Sequence, residues 1–186
     1  MGRKHVETFR ITKKEETGRR VKQNKIKTNA MRLLDKQRIP YEAFFYPDTV
    51  HSAEEVAVLL GVPAGHVFKT LVVFADGKRH LLVVTPGDRE LDMRLVAKGV
   101  NAKSAHMAPQ REAEGLTGLK VGGISPLALT EKPFEVYLDA SGAALEELYI
   151  NGGQRGVNVR LRVADLLQVT SAKVIKATED PAESEA

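Results

Sequence analysis

An α+β domain, built on one mixed β-sheet flanked by helices, is the fold class that this 186-residue sequence predicts. Three observations predict it. Apolar runs with strand character come in pairs joined by tight-turn signals, most clearly HVFKTLVVF and HLLVVTP around ADGKR. Single amphipathic helical patterns are interspersed between such pairs. The strict strand–helix alternation of a doubly wound sheet is missing, and no glycine-rich phosphate loop follows a strand. With 42% hydrophobic residues the chain can bury one core of ordinary size, so one domain is expected.

In chain order, TNAMRLLDKQRI (28–39) places Ala30, Leu33, Leu34 and Ile39 on one helical face. Thr28 or Asn29 supplies its N-cap and Pro40 its stop. YEAFFY (41–46) is short and aromatic, which suits a strand. In SAEEVAVLLG, Ser52 and Glu55 have capping-box spacing and Gly61 ends the helix. Two central strands follow, turning at Asp76-Gly77. LDMRLVAKG (91–99) reads as a helix, PQREAEGL (109–116) as another with Pro109 in its first turn, and LKVGGISPL (119–127) as a loop. FEVYLD, LEELYINGG and VNVRLR read as strands, the last two joined by a turn at GGQRG. VADLLQV is a short helix and AKVIKA a final strand.

Charge is unevenly placed. Residues 1–27 hold ten Lys or Arg against three Glu, while the last ten residues hold four acids and no base. The body between, 28–176, is close to neutral. A basic N-terminal arm (1–27) with too few apolar residues to make a core is read as flexible, and residues 177–186 as an acidic disordered tail. Such an arm is either a solvated tail or a contact for nucleic-acid phosphates. The chain has no cysteine, which excludes a disulfide framework, a thiolate metal site and a cysteine nucleophile. No apolar run is long enough to span a bilayer and no signal-peptide pattern opens the chain, so the cytoplasm is the default location.

Few residues stand out as chemistry. The histidines (5, 51, 66, 80 and 106) show neither an i, i+4 pair nor an HxH, so no metal is expected. A nucleophile elbow is absent, and Ser125 in GGISP is better read as a turn or capping serine than as a nucleophile. Lys69 is the anomaly, a charge inside an apolar strand. Either its stem carries the ammonium back to water, or it faces a pocket that binds an anion or a carbonyl. The GGISP and GGQRG segments are tight turns or backbone-amide sites for a carbonyl oxygen or oxyanion, with Arg155 offering a fork for phosphate or carboxylate.

Taken together, TNAMRLLDKQRIPYE, HVFKTLVV, TPGDRELDMRLVAK, TGLKVGGISPL and LYINGGQRGVNVRL resemble, in this order, the YbaK/EbsC family of aminoacyl-tRNA deacylases. These are relatives of the editing domain inserted in bacterial prolyl-tRNA synthetases. The resemblance covers about 28–176 and implies a strongly curved mixed sheet. It implies hydrolysis of mischarged aminoacyl-tRNA in trans, most often Cys-tRNA(Pro), with mischarged tRNA(Pro) and a prolyl-tRNA synthetase as partners and no cofactor. By the same likeness Lys69 matches the strand lysine needed for activity. Gly122 and Gly123 match the glycine pair facing the substrate carbonyl, and Tyr46 an aromatic position near the pocket. Thr70, Ser125, Pro126 and Arg155 complete the implied substrate-binding set. Asn158 stands where some members carry Asp and others an amide. Two alternatives accompany this reading: the same fold acting on Ala-tRNA or another small-amino-acid tRNA, and a non-catalytic RNA-binding module.

Overall fold

The computed structural model describes residues 9–12, 26–50 and 52–179; the remainder of the basic arm, His51 and residues 180–186 lie outside the described residues. Among the described residues nine strands form one mixed sheet, as the sequence predicts in class. The strands are β1 (Phe9–Thr12), β2 (Glu42–Phe45), β3 (Val67–Ala75), β4 (Arg79–Pro86), β5 (Ala105–Met107), β6 (Glu135–Asp139), β7 (Glu147–Asn151), β8 (Val157–Arg162) and β9 (Lys173–Ile175). Their order is β1-β2-β8-β7-β3-β4-β6-β9, with β5 added to β3. Hairpin neighbours run antiparallel, whereas β3 with β7, β4 with β6 and β6 with β9 run parallel.

The helices are α1 (Asn29–Lys36), α2 (Ala53–Leu60), α3 (Met93–Gly99), α4 (Gln110–Thr117), α5 (Ala140–Ala143) and α6 (Val163–Thr170). Local chemistry explains their ends. Thr28 Oγ1 accepts from the Met31 N–H, and the Ser52–Glu55 capping box is complete in both directions. Asp92 caps α3 by accepting from Arg94 and Leu95 N–H. Pro109 stands at the N-cap of α4, one position earlier than the sequence suggests. Asp76 and Gly77 both take positive φ, 51° and 65°, the geometry that turns β3 into β4 without splaying them.

Alternation along β3 and β4 divides their apolar side chains between the two faces of the sheet. On one face Phe68 and Val84 join Leu138, Leu148, Ile150, Val159 and Leu161 beneath α1 and α6. Val72 and Leu82 extend that face to Ile124, Leu129 and Ala113 of α4. On the other, Val73, Leu81, Val83 and Tyr137 pack with Val96 of α3, and Val67 packs with Val56 of α2. Each fully buried Leu or Ile contributes about 2 kcal/mol, so these clusters hold the helices on the sheet.

The packed body continues past residue 176. Ala177 and Thr178 are buried, and their N–H groups donate to Asp139, which also accepts from Ser141 N–H at the start of α5. The Asp92 N–H donates to Ala177 O, so this last segment is tied to the start of α3 as well.

At the β4–β6 junction Arg79 grips Glu135 with two hydrogen bonds of 2.7 and 2.6 Å and gives a third to Val100 O. The guanidinium holds the Glu135 carboxyl down at about 2. The folded carboxyl therefore ionises more readily than the unfolded one. Its contribution is complete above pH 4.5, the ordinary value, and is lost as the pH falls through about 2. Glu135→Gln is expected to lower the melting temperature measurably at pH 7, with the difference from wild type shrinking below pH 4.5. A difference that stays constant down to pH 2 would show that the charge is not what the pair contributes.

Candidate active site

The sheet is interrupted along one edge of β3. That edge pairs with β7 at Val67 and Phe68, and with β5 only from Val73 to Ala75. Residues 69–72 have no strand beside them there. Gly87 N–H donates to Val67 O on the β4 side, so peptide groups of odd-numbered residues face β4 and those of even-numbered residues face the gap. Val72 O in the gap accepts from Ala108 N–H. The N–H and C=O of Thr70 face it without a partner among the described residues, and Thr70 Oγ1 is likewise buried and unpartnered.

A cavity of about 440 Å³ occupies this gap. Consecutive residues of β3, Val67 to Val72, line it. Apolar walls come from Val50, Ala53, Val56, Leu71, Met107 and Ile124. The size suits a small ligand rather than a macromolecular surface.

Lys69 lies on this wall. Its Nζ donates to Gly87 O (3.2 Å) and meets Glu90 Oε1 at 3.3 Å. Glu90 is 92% exposed, so the pair contributes on the order of 0–1 kcal/mol and can be exchanged for another anion at little cost. The Lys69 side chain is thus partly exposed to solvent and also belongs to the cavity lining.

Tyr46 and Asn158 also line the cavity, the phenol donating to Asn158 Oδ1 at 2.8 Å. Burial pushes the Tyr46 hydroxyl well above its ordinary range, so it remains a protonated donor at neutral pH.

The glycine loop supplies Val121, Gly122 and Ile124 to the lining. Gly122 has φ 86°, which favours glycine there. Glu114 of α4 holds the loop by accepting from Lys120 Nζ (2.9 Å) and Val121 N–H (3.1 Å). Those donors, Lys120 above all, bring its carboxyl down to about 2.

Of the residues singled out in the sequence, Lys69, Thr70, Tyr46, Gly122 and Asn158 line one cavity. Four others do not. The Gly123 N–H is used inside the loop, donating to Lys120 O at 2.8 Å, and is not offered to a ligand. Ser125 and Pro126 are buried and stand behind the loop. Arg155 turns its Nε–H onto Val121 O at 2.7 Å and acts on the loop rather than in the cavity. Asn151, which no sequence pattern singled out, lines the cavity. Its signal was an asparagine at a strand end directly before two glycines, a residue type that bonds its own backbone in turns. No group of three or more His, Cys, Asp or Glu among the described residues is placed to hold a metal ion. No helix among them is long and apolar enough to cross a membrane.

Close approach explains the second glycine. A Cβ on Gly123 would stand 2.9 Å from Arg155 N and 3.2 Å from Gln154 C, both main-chain atoms that cannot rotate away. Gly123→Ala is expected to force the loop and the β7–β8 turn apart and to cost about 1–3 kcal/mol in urea denaturation. A wild-type midpoint would mean that the two segments are not packed in solution.

Comparison with known proteins points the same way as this geometry. Residues 47–169 match the aminoacyl-tRNA editing domain family. The chain is 32% identical over 159 residues to EbsC of Enterococcus faecalis, provisionally named a Cys-tRNA(Pro)/Cys-tRNA(Cys) deacylase, covering 84% of this chain and 96% of EbsC. A 110-residue segment, 59% of this chain, is 36% identical to 18% of the proline–tRNA ligase of a Sulfurihydrogenibium species. A solved structure provisionally described as a trans-editing enzyme for prolyl-tRNA synthetase superposes with a TM-score of 0.71 at 24% identity, covering 82% of this chain and 96% of its own. A hypothetical protein superposes with a TM-score of 0.75 at 24% identity, covering 81% and 99%. At those identities the two structures establish the fold, and the sequence matches establish the rest: the chain belongs to the aminoacyl-tRNA editing domain family.

Proposed function

We propose that this protein is an aminoacyl-tRNA deacylase that acts in trans on mischarged tRNA, with Cys-tRNA(Pro) as its substrate. The observation that supports this best is the cavity at the interrupted edge of β3. There an exchangeable ammonium, an unpaired strand peptide and a glycine loop surround about 440 Å³ of mainly apolar space. Such a site is built to hold a small aminoacyl ester and to steady developing charge. Among the described residues its lining offers no cysteine, serine–histidine pair or metal cluster that would attack the ester.

An aminoacyl ester is already activated, so positioning and electrostatic stabilisation can suffice. With a cysteinyl substrate, the side-chain sulfur attacks the carbonyl carbon of its own ester. The oxyanion that forms collapses, the carbon–oxygen bond to the ribose breaks, and the thiol proton ends on the departing ribose oxygen. A cyclic thiolactone and free tRNA result. Lys69 would exchange Glu90 for a phosphate of the tRNA 3′ end or fix the ester, and the Gly122 N–H of the loop would face the oxyanion. With an alanyl substrate a water must attack instead. The names borne by EbsC and the prolyl-tRNA synthetase match support tRNA(Pro) charged with cysteine, with the synthetase as partner.

A panel of Cys-, Ala-, Ser- and Pro-charged tRNAs tests this reading. Catalytic amounts of protein should empty Cys-tRNA(Pro) and spare Pro-tRNA(Pro). Emptying of Ala-tRNA in its place would move the substrate to alanine, and binding without turnover would make the protein an RNA-binding module. Lys69→Ala should cost at least tenfold in rate, about 1.4 kcal/mol of barrier, without unfolding the protein. Wild-type turnover by that variant would remove Lys69 from the mechanism.

The basic arm is assigned to tRNA affinity rather than to the chemical step. Residues 9–12 of the arm pair with β2 as β1, so the test keeps them. Replacing the Lys and Arg of residues 1–27 outside that strand with Gln should raise the tRNA concentration for half-maximal rate. It should also reduce the slope of log affinity against log salt by about 0.7 to 0.9 for every phosphate that the arm neutralises. The saturated rate should hold, since interactions equal in ground and transition states do not alter it. An unchanged slope would make the arm a solvated tail.

A further inference from the structure

The glycine loop does not keep its shape alone. Asn151, at the end of β7, is buried and spends all four hydrogen bonds of its amide on two neighbouring loops. Its Nδ2 donates to Gly122 O (2.8 Å) and Gln154 O (3.2 Å), and its Oδ1 accepts from Gly153 N–H (2.7 Å) and Gln154 N–H (3.1 Å). From the same turn, Arg155 Nε donates to Val121 O at 2.7 Å.

Two successive carbonyl oxygens, of Val121 and Gly122, are therefore drawn onto the β7–β8 turn. A trans peptide points its C=O and N–H in opposite directions. Holding Val121 O on Arg155 turns the Gly122 N–H away from that turn. This N–H has no partner among the described residues, and Gly122 lines the cavity. In the next peptide both ends are fixed, the C=O by Asn151 and the N–H of Gly123 by Lys120 O. Carbonyl lone pairs facing the cavity would repel an oxyanion. With them withdrawn, the loop presents the positive end of a peptide dipole.

We propose that Asn151 and Arg155 are positioning residues of the deacylation reaction. They clamp the glycine loop so that the Gly122 N–H is presented to the developing oxyanion. This rests on the deacylase reading above and adds to it the residues that set its geometry. Neither residue needs to touch the substrate.

Two variants test the clamp. Asn151→Asp keeps an oxygen to accept from Gly153 and Gln154 but cannot donate, and it sets a charge against Gly122 O. Arg155→Ala removes the second tie and leaves every Asn151 bond in place. Each should lower kcat on Cys-tRNA(Pro) by about 10- to 100-fold while KM stays within about twofold, because the Gly122 N–H matters only as charge develops. Hydrogen–deuterium exchange at residues 120–125 should quicken in both, and the double variant should lose less than the product of the single losses. Wild-type kcat in both variants overturns the proposal, as does a reduced kcat with loop exchange unchanged, which would make the effect direct. If Asn151→Asp fails to fold, Arg155→Ala decides alone. A wild-type protein inert on every charged tRNA sinks the deacylase reading instead, an outcome distinct from active wild type with active variants.

Discussion

The site depends on the way β7 and β5 share one edge of β3. A strand edge left bare is ordinarily a liability, open to pairing with any other chain. Here the bare stretch is four residues long, 69–72, and is closed at both ends by strands. It is too short and too recessed to template a further strand, yet it leaves the Thr70 peptide unpaired beside a cavity. Lys69 sits in a core strand beside that interruption. Its neighbours Phe68, Val72 and Val73 are buried in three different clusters, while its own ammonium reaches Gly87 O and the exposed Glu90 after β4.

Support for the cavity walls comes from bonds well behind them. Gly87 O and Glu90, which hold the Lys69 ammonium, belong to the segment between β4 and α3. That segment ends at Asp92, whose N–H is fixed by Ala177 O, and Ala177 is fixed in turn by Asp139. On the far side, Glu114 of α4 and the β7–β8 turn grip the glycine loop from opposite directions. Burial of the Asp139 carboxylate is tolerable because the N–H groups of Ser141, Ala177 and Thr178 all donate to it. The fold thus spends its polar interior on fixing the two segments that carry the cavity walls.

What the sequence disclosed was what local chemistry controls. The Ser52–Glu55 capping box, the Asp76-Gly77 turn and the GGQRG turn are written in residues a few positions apart, and the structure has them all. The short elements β1, β5 and α5 are not legible because three or four residues carry no periodicity. The strand order was not legible either. That β7 lies parallel to β3 for two residues only is settled by packing of Ile150 and Leu148 against Phe68, which lie about eighty positions apart. Within the site, residue types were easier to find than directions. The family resemblance implies that Gly123 and Arg155 meet the substrate, whereas a 2.9 Å approach and a hydrogen bond to Val121 O make both supports of the loop. Asn151 escaped because nothing in INGG shows that one amide will reach a loop twenty-nine residues earlier.

The neutral pair of Tyr46 and Asn158 has an electrostatic consequence for the cavity. Among the described residues its lining already carries two carboxylates, Glu54 and Glu90, against the one ammonium of Lys69. A third carboxylate at 158 would raise the negative potential where both a phosphate and an oxyanion must be accommodated. At a separation of about 8 Å and an effective dielectric constant near 20, each such charge opposes an oxyanion by about 2 kcal/mol. An amide at 158 keeps the acceptor for the Tyr46 hydroxyl and removes that opposition. Two exposed glutamates are screened and can swing away, but a buried side chain can do neither. The buried polar residues of the described lining, Thr70, Asn151 and Asn158, are all uncharged. That neutrality leaves Lys69 and the peptide dipoles of the glycine loop to set the potential felt by the ester.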